Sequence, residues 1–236
     1  MNDDSFIDQL QQVPLFQDLD RIARADVIGR SENRQVDKDG YFFMQGDPAD
    51  HLFVLTEGRV RLCQITPDGQ QVILKFATPW EMIGGLAIVG VYESVYPVCC
   101  MAAENSRALT WGKEALHALL QRYPQIAINA TQSMYHHVIE TQELFTQIAT
   151  ERVEQRVART LLRLVAQMGQ MGPNGVRLDF PITRQDLAEM CGTTIFSVSR
   201  ILSQWEKLGL IEAGREHVTV KYPHGLVVIA EDLKGD

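Results

Sequence analysis

The chain has 236 residues, 45% of them hydrophobic and 22% charged, which fits a globular protein of two packed domains and excludes a disordered tail or linker. Its formal net charge of -8 taken alone argues against nucleic acid, because a duplex repels an acidic surface. The charge is uneven, however: residues 150–236 hold 11 Lys or Arg and 11 Asp or Glu, whereas residues 1–149 hold 11 against 19 and carry the whole deficit. A nucleic-acid site is therefore expected only after residue 150, where the cations can gather on one face.

The start, Met1-Asn2-Asp3-Asp4, has neither the basic opening nor the apolar core of a secretory signal, so a cytoplasmic location is expected. The most apolar stretch, residues 82–91, has ten residues with three glycines, far short of the ~18 needed to cross a bilayer, and no membrane partner is expected. Cys63, Cys99, Cys100 and Cys191 show no CxxC spacing and are expected as reduced thiols.

From residue 39 to 111, short apolar runs alternate with turn signals: Asp39-Gly40, Gly46-Asp47-Pro48, Glu57-Gly58, Pro67-Asp68-Gly69, Pro79 and Gly84-Gly85. Runs at residues 51–55, 59–65 and 71–76 have strand length, and strands at this spacing predict an antiparallel β-roll. Thr66-Pro67-Asp68-Gly69 has the chemistry of a hairpin loop, with Gly69 free to take positive φ.

Residues 125–164 contain no glycine or proline, and Ala127, Met134, Val138, Phe145 and Ile148 recur in steps of four and three, with Thr131 and Thr141 filling the pattern. So narrow a stripe is a coiled-coil seam needing a partner helix; the alternative is a helix packed on its own β-roll. The candidate dimer contacts are Met134, Val138, Thr141, Phe145 and Ile148. A more charged helix is predicted from Glu151 to about Met168, stopped by a loop at Met171-Gly172-Pro173-Asn174-Gly175.

Thr183-Arg184-Gln185-Asp186 opens a helix in the T-x-x-D form, with Leu187, Ala188 and Met190 on its buried side. Gly192 supplies a turn, and a second helix puts Val198, Ile201, Leu202 and Trp205 on one face. The pair reads as a helix-turn-helix or as a plain structural hairpin. The opposite face of the second helix carries Ile195, Phe196, Ser199, Arg200 and Ser203. A helix in the major groove needs such side chains: Arg for guanine O6 and N7, hydroxyls for bases or phosphates, apolar groups for thymine methyls. Residues 212–221 read as a hairpin with Gly214-Arg215-Glu216 at its tip, a wing. The candidate DNA-contacting set is Thr183, Arg184, Thr193, Thr194, Phe196, Ser197, Ser199, Arg200 and Arg215.

In this order the elements resemble the CRP/FNR family of bacterial transcription regulators. The resemblance rests on Pro14-Leu15-Phe16, Lys38-Asp39-Gly40, Gly46-Asp47-Pro48, Leu52-Phe53-Val54-Leu55 and Gly58-Arg59-Val60 in the front half. In the back half it rests on residues 181–188 with Val198-Ser199-Arg200-Ile201-Leu202. It implies an α+β fold: a cupin-like, cyclic-nucleotide-binding-domain-like β-roll sensor over residues 1–123, a dimerisation helix over 124–149, and a winged helix-turn-helix over 150–236. It implies a homodimer that binds a palindromic operator on double-stranded DNA and works with RNA polymerase under a small effector.

Departures from the family pattern bear on the effector. The cyclic-nucleotide-binding branch holds ribose and phosphate with a Gly-Glu pair and a later Arg-Ser; here the matching stretch is Gly84-Gly85-Leu86-Ala87, and residues 76–106 contain no Lys or Arg. Nothing local can pair with a phosphate in a partly desolvated pocket, so cyclic AMP is not expected. The effector-pocket candidates are Gly84, Gly85, Leu86, Ala87, Tyr96 and Val98. The iron-sulfur branch clusters cysteines near the amino terminus, which this chain lacks, and no such cluster is expected. Residues 62–74 resemble the branch that answers nitric oxide or nitrogen oxides, which makes haem a candidate cofactor. Its candidate ligands are His51, His117, His136, His137 and His217; Cys99-Cys100 is either an oxidation sensor or a buried strand pair. Phe196 stands where the family's recognition helix carries a glutamate. The competing reading is a cyclic-nucleotide-binding regulatory module. No Ser/His/Asp set, metal-ligand spacing or phosphate-cradling loop supports an enzyme.

Overall fold

The computed structural model describes residues 3–89, 94–178, 180–214 and 217–233. The chain divides into two compact units, Met1–Glu140 and Thr141–Asp236.

The first unit opens with helices α1 (Asp3–Gln9) and α2 (Arg21–Gly29), joined by 3-10 turns at Leu10–Gln12 and Pro14–Phe16. Strands follow: β1 (Glu32–Val36), β2 (Tyr41–Phe43), β3 (His51–Glu57), β4 (Val60–Ile65), β5 (Gln71–Ala77) and β6 (Met82–Ile83). After the short α3 (Leu86–Val89) come β7 (Cys99–Ala102), β8 (Ser106–Gly112) and α4 (Lys113–Arg122). Among the described residues the strands form two four-stranded sheets, ordered β1-β8-β3-β6 and β2-β7-β4-β5, with every pairing antiparallel. The expected β-roll is thus present, with strand ends within two residues of the predicted runs. At the β4–β5 turn Thr66 N donates to Gln70 O (2.9 Å), and Gly69 takes φ 82°, a conformation that a side chain would strain.

The run Leu52-Phe53-Val54-Leu55 shows why alternation fails here: β3 is buried on both faces. Phe53 and Leu55 face the roll interior with Phe42, Phe43, Ile83 and Tyr96, whereas Leu52 and Val54 face a second core with Leu10, Phe16, Val27, Trp111 and Leu119. Trp111 is fully buried, and its indole Nε1 donates to Val27 O at 2.7 Å, so burial leaves no orphan donor. The helices α1, α2 and α4 are not among the elements predicted from turn signals.

Helix α5 runs Pro124–Thr150 as expected; α6 (Val153–Met168) starts two residues later than predicted, because Arg152 is extended (ψ 153°) and caps it. The second unit continues with β9 (Gly169–Gly172), β10 (Gly175–Leu178), α7 (Arg184–Cys191), α8 (Ile195–Lys207), β11 (Ile211–Ala213), β12 (Val218–Val220) and α9 (Pro223–Ala230). One expectation needs correction: residues 171–175 are not a plain loop but the inner end of a β9–β10 hairpin. The hairpin expected over residues 212–221 is present as β11–β12 and joins it in one sheet, ordered β11-β12-β10-β9. The cause is the backbone at Gly175, whose φ is 126° and where a Cβ would lie 2.2 Å from Val220 O; only glycine lets β10 approach β12. No helix among the described residues is long and apolar enough to cross a membrane.

Candidate nucleic-acid interface

Helix α7 begins at a reciprocal cap. Thr183 Oγ1 accepts from Asp186 N (3.0 Å), and Asp186 Oδ2 accepts from Thr183 N (2.8 Å). The carboxylate also suits the positive end of the helix dipole. The helix ends on Gly192 in the left-handed region (φ 58°), where a Cβ would meet nothing within 4 Å, so the constraint is conformational rather than steric. Leu187 and Ala188 are buried as expected; Met190 is only half-buried, and Cys191 takes the core position one residue on. Helix α8 then starts from Thr194, whose hydroxyl accepts from Ser197 N at 3.2 Å.

The expected two faces of α8 are both present. Val198, Ile201, Leu202 and Trp205 are buried, and Trp205 Nε1 donates to Glu154 Oε1 at 3.1 Å. On the other face Phe196 is 83% exposed, Arg200 is exposed, Ile195 is at the edge of exposure, and Ser199 and Ser203 are half-buried. Phe196 and Arg200, one helical turn apart on this face, are both open to contact with another molecule. Of the other candidates, Thr183, Thr194 and Ser197 are bonded within the two caps, Thr193 is half-buried in the turn, and Arg184 is half-buried on α7. At the wing, Gly214 N donates to His217 O (2.8 Å) across the base of the tip; Arg215 lies outside the described residues.

Helix α5 presents the seam to solvent in the single chain. Met134, Val138, Phe145 and Ile148 are all more than half exposed, Phe145 at 73%, and Thr141 is exposed. Ile128 and Tyr135, not singled out from spacing, widen the stripe. The first turns of α5 are fixed on the opposite side: Ile126 is buried, and the buried Asn129 donates from Nδ2 to Leu15 O (3.0 Å) and Gln17 O (2.8 Å). The helix therefore does pack on its own β-roll, but through a face other than the seam.

Of the effector-pocket candidates, Gly84 and Tyr96 meet at His51, while Ala87 belongs to a different core cluster from Tyr96 and Val98. Gly84 has φ 78°, and a Cβ there would lie 2.8 Å from His51 O. Tyr96, buried and stacked on Phe43 (3.8 Å between centroids), donates its hydroxyl to His51 O (2.6 Å) and accepts from His51 N (3.1 Å). Leu86 is exposed, Gly85 and Val98 are half-buried, and Ala87 is in the core. Cys99 and Cys100 are buried on β7, and burial pushes the Cys100 thiol up, away from the reactive thiolate. The candidate iron ligands are scattered over β3, α4, α5 and the wing, and the His117 ring is bonded to Gln121 (2.8 Å). Among the described residues no group of three or more His, Cys, Asp or Glu is placed to hold a metal ion.

Comparison with known proteins agrees with this architecture. Residues 33–123 match the cyclic nucleotide-binding domain, and residues 155–229 match the Crp-like helix-turn-helix domain. The chain is 26% identical over 215 residues to the transcriptional activator protein FnrA of Stutzerimonas stutzeri, covering 91% of this chain and 85% of that protein. It is 25% identical over 187 residues to the transcriptional activator protein Anr of Pseudomonas aeruginosa, covering 79% and 75%. In fold it is similar to the c-di-GMP responsive global regulator CLP of Xanthomonas campestris, with a TM-score of 0.74 at 21% identity over 85% of this chain and 99% of that one. A nucleotide-binding-type β-roll followed by a DNA-binding helix-turn-helix, in relatives that are transcription regulators, places this chain in the CRP/FNR family of transcription regulators.

Proposed function

We propose that the protein is a homodimeric, sequence-specific DNA-binding regulator controlled by a small effector sensed in the β-roll. Residues 1–123 act as the sensor, 124–149 as the dimerisation helix and 150–236 as the DNA-binding domain. The observation that carries this reading is the outer face of α8, with exposed Phe196 and Arg200 flanking Ser199 and Ser203 on a helix whose other face is locked into the core. Arg200 donates to a guanine, Ser199 to a base or phosphate, and Phe196 touches a thymine methyl. The exposed stripe on α5 supports pairing of two copies, and their two-fold axis then coincides with that of the DNA. Selection from random duplexes by the purified full chain is expected to return a palindrome with half-sites about one helical turn apart. An enriched site without two-fold symmetry would overturn the dimeric reading. RNA polymerase is the expected downstream partner.

The effector is not cyclic AMP. Two observations support this: no Lys or Arg occurs in residues 76–106, and the roll interior is filled by Phe42, Phe43, Phe53 and Tyr96. A cyclic phosphate there meets aromatic rings and finds no cation within residues 76–106, a poorly compensated desolvation. Titration calorimetry is expected to give no saturable heat with cyclic AMP up to millimolar concentration; tight, saturable binding refutes this. The same observations weigh against a cyclic-nucleotide-binding module as the whole function. The scatter of the candidate histidines over β3, α4, α5 and the wing singles out no axial ligand for haem.

A further inference from the structure

The residue that caps α6 is of the wrong chemical type for its place. The first amides of a helix lack carbonyl partners within it, so the cap position favours an acceptor side chain, and the positive end of the dipole disfavours a cation. Here the cap is Arg152, whose guanidinium has only donors. Gln155 supplies only the reciprocal half of a cap: its Oε1 accepts from Arg152 N at 3.0 Å and from Arg152 Nε at 3.3 Å. The guanidinium projects outward, exposed, and pairs with Asp232, an equally exposed residue just past the end of α9. A cation kept where the helix repels it, and already seated on an anion of the same chain, points to an anion site.

Arg152 opens onto a hollow of about 370 Å³ walled by Val153 of α6 and by Ser197, Arg200 and Gln204 of α8, among others. Arg152, Ser197, Arg200 and Gln204 line it beside the N-terminal end of the 16-residue α6. The carboxylate in the wall, Glu154, has Oε1 engaged by Trp205 Nε1. This donor set suits an anion with several acceptor oxygens. Because Ser197 and Arg200 belong to the helix assigned to the major groove, the anion that lies beside it is a phosphate of the groove wall.

We propose that Arg152 grips a DNA backbone phosphate, and that Asp232 competes for the same guanidinium in the free protein. The inference rests on the DNA-binding reading above. Carboxylate and phosphate both accept from the guanidinium fork, so binding exchanges one partner for the other. Such a contact carries no sequence information. It adds to affinity for every duplex and to its salt dependence.

The test is fluorescence anisotropy of the full-chain wild type, Arg152→Gln, Arg152→Lys, Asp232→Asn and the Arg152→Gln/Asp232→Asn double variant. Each is titrated against a selected operator duplex and a scrambled duplex over a range of salt. Arg152→Gln removes one phosphate contact from each protomer, so it is expected to weaken both duplexes by a similar factor, about three- to tenfold, and to reduce the salt slope by about two. Arg152→Lys keeps the slope, because a point charge also grips phosphate. Asp232→Asn tightens both duplexes at low salt, and the double variant behaves like Arg152→Gln, with no cation left to compete for. Wild-type binding with unchanged affinity and slope in Arg152→Gln overturns the inference and leaves the DNA-binding reading standing. An Asp232→Asn variant that binds no tighter overturns the competition. A wild type that binds neither duplex at low salt overturns both readings.

Discussion

Val138→Glu is expected to leave the protein monomeric at micromolar concentration and to abolish operator binding. Val138 is 51% exposed in the single chain and sits mid-stripe on α5, between Met134 and Phe145. In a paired seam its two copies lie close to the symmetry axis, so one substitution places two carboxylates in an apolar interface at once. Each unpaired charge costs several kcal/mol to desolvate. A total of about 4 to 6 kcal/mol weakens pairing by roughly 10³- to 10⁴-fold, enough to take a nanomolar dimer into the micromolar range or beyond. Loss of DNA binding follows, because one recognition helix alone gives up the effective concentration that links two half-sites. Light scattering reads the mass directly. Gln142→Glu, an exposed residue off the seam on the same helix, adds the same charge and is expected to stay dimeric. A wild type that is monomeric at micromolar concentration, or a Val138→Glu protein that remains a dimer, removes the seam as the interface.

The parts of the fold legible in the sequence are those set by local spacing. The T-x-x-D cap at Thr183, the glycine turns at Gly69 and Gly192, and the buried positions Val198, Ile201, Leu202 and Trp205 each depend on residues within one or two turns of each other, and each is present. Strand β3 was equally readable, because a run buried on both faces needs no alternation. What spacing misses is set by distant partners. Strand β9 is Gly-Gln-Met-Gly, with little β propensity of its own, and exists because β10 pairs with it and with β12. The Tyr96 hydroxyl closes on the backbone of His51, 45 residues away, and so fills space that the sequence left open for an effector. Arg152 carries a sequence signal that goes unread unless the helix start is known to the residue: an arginine is ordinary surface one position later and an anomaly at the cap. The candidate site was thus legible as a face, while its caps and its neighbouring hollow were not.

Substitution at Arg200 and Phe196 is expected to change which sequence is bound rather than whether DNA is bound. Arg200 is exposed on the outer face of α8, one turn beyond Phe196, and both project from a helix held rigid by Trp205 and Leu202 in the core. A bidentate arginine–guanine contact is worth about 1 to 3 kcal/mol of discrimination. Lost once in each half-site, the contact is worth about 2 to 6 kcal/mol to the dimer, so Arg200→Ala should weaken the selected operator by roughly 30- to 10⁴-fold, relax preference at one base pair in each half-site, and leave binding to unrelated duplexes much less affected. Phe196 acts through a different chemistry. Its ring offers no acceptor to a cytosine amino group but contacts a thymine methyl, so at its position thymine is favoured; Phe196→Glu supplies an acceptor and should move the preference to cytosine. In-vitro selection on random duplexes with wild type, Arg200→Ala and Phe196→Glu reads both effects in one experiment. Should Arg200→Ala weaken all sequences equally, the residue grips phosphate and reads no base; should Phe196→Glu return the wild-type site, the exposed ring takes no part in recognition.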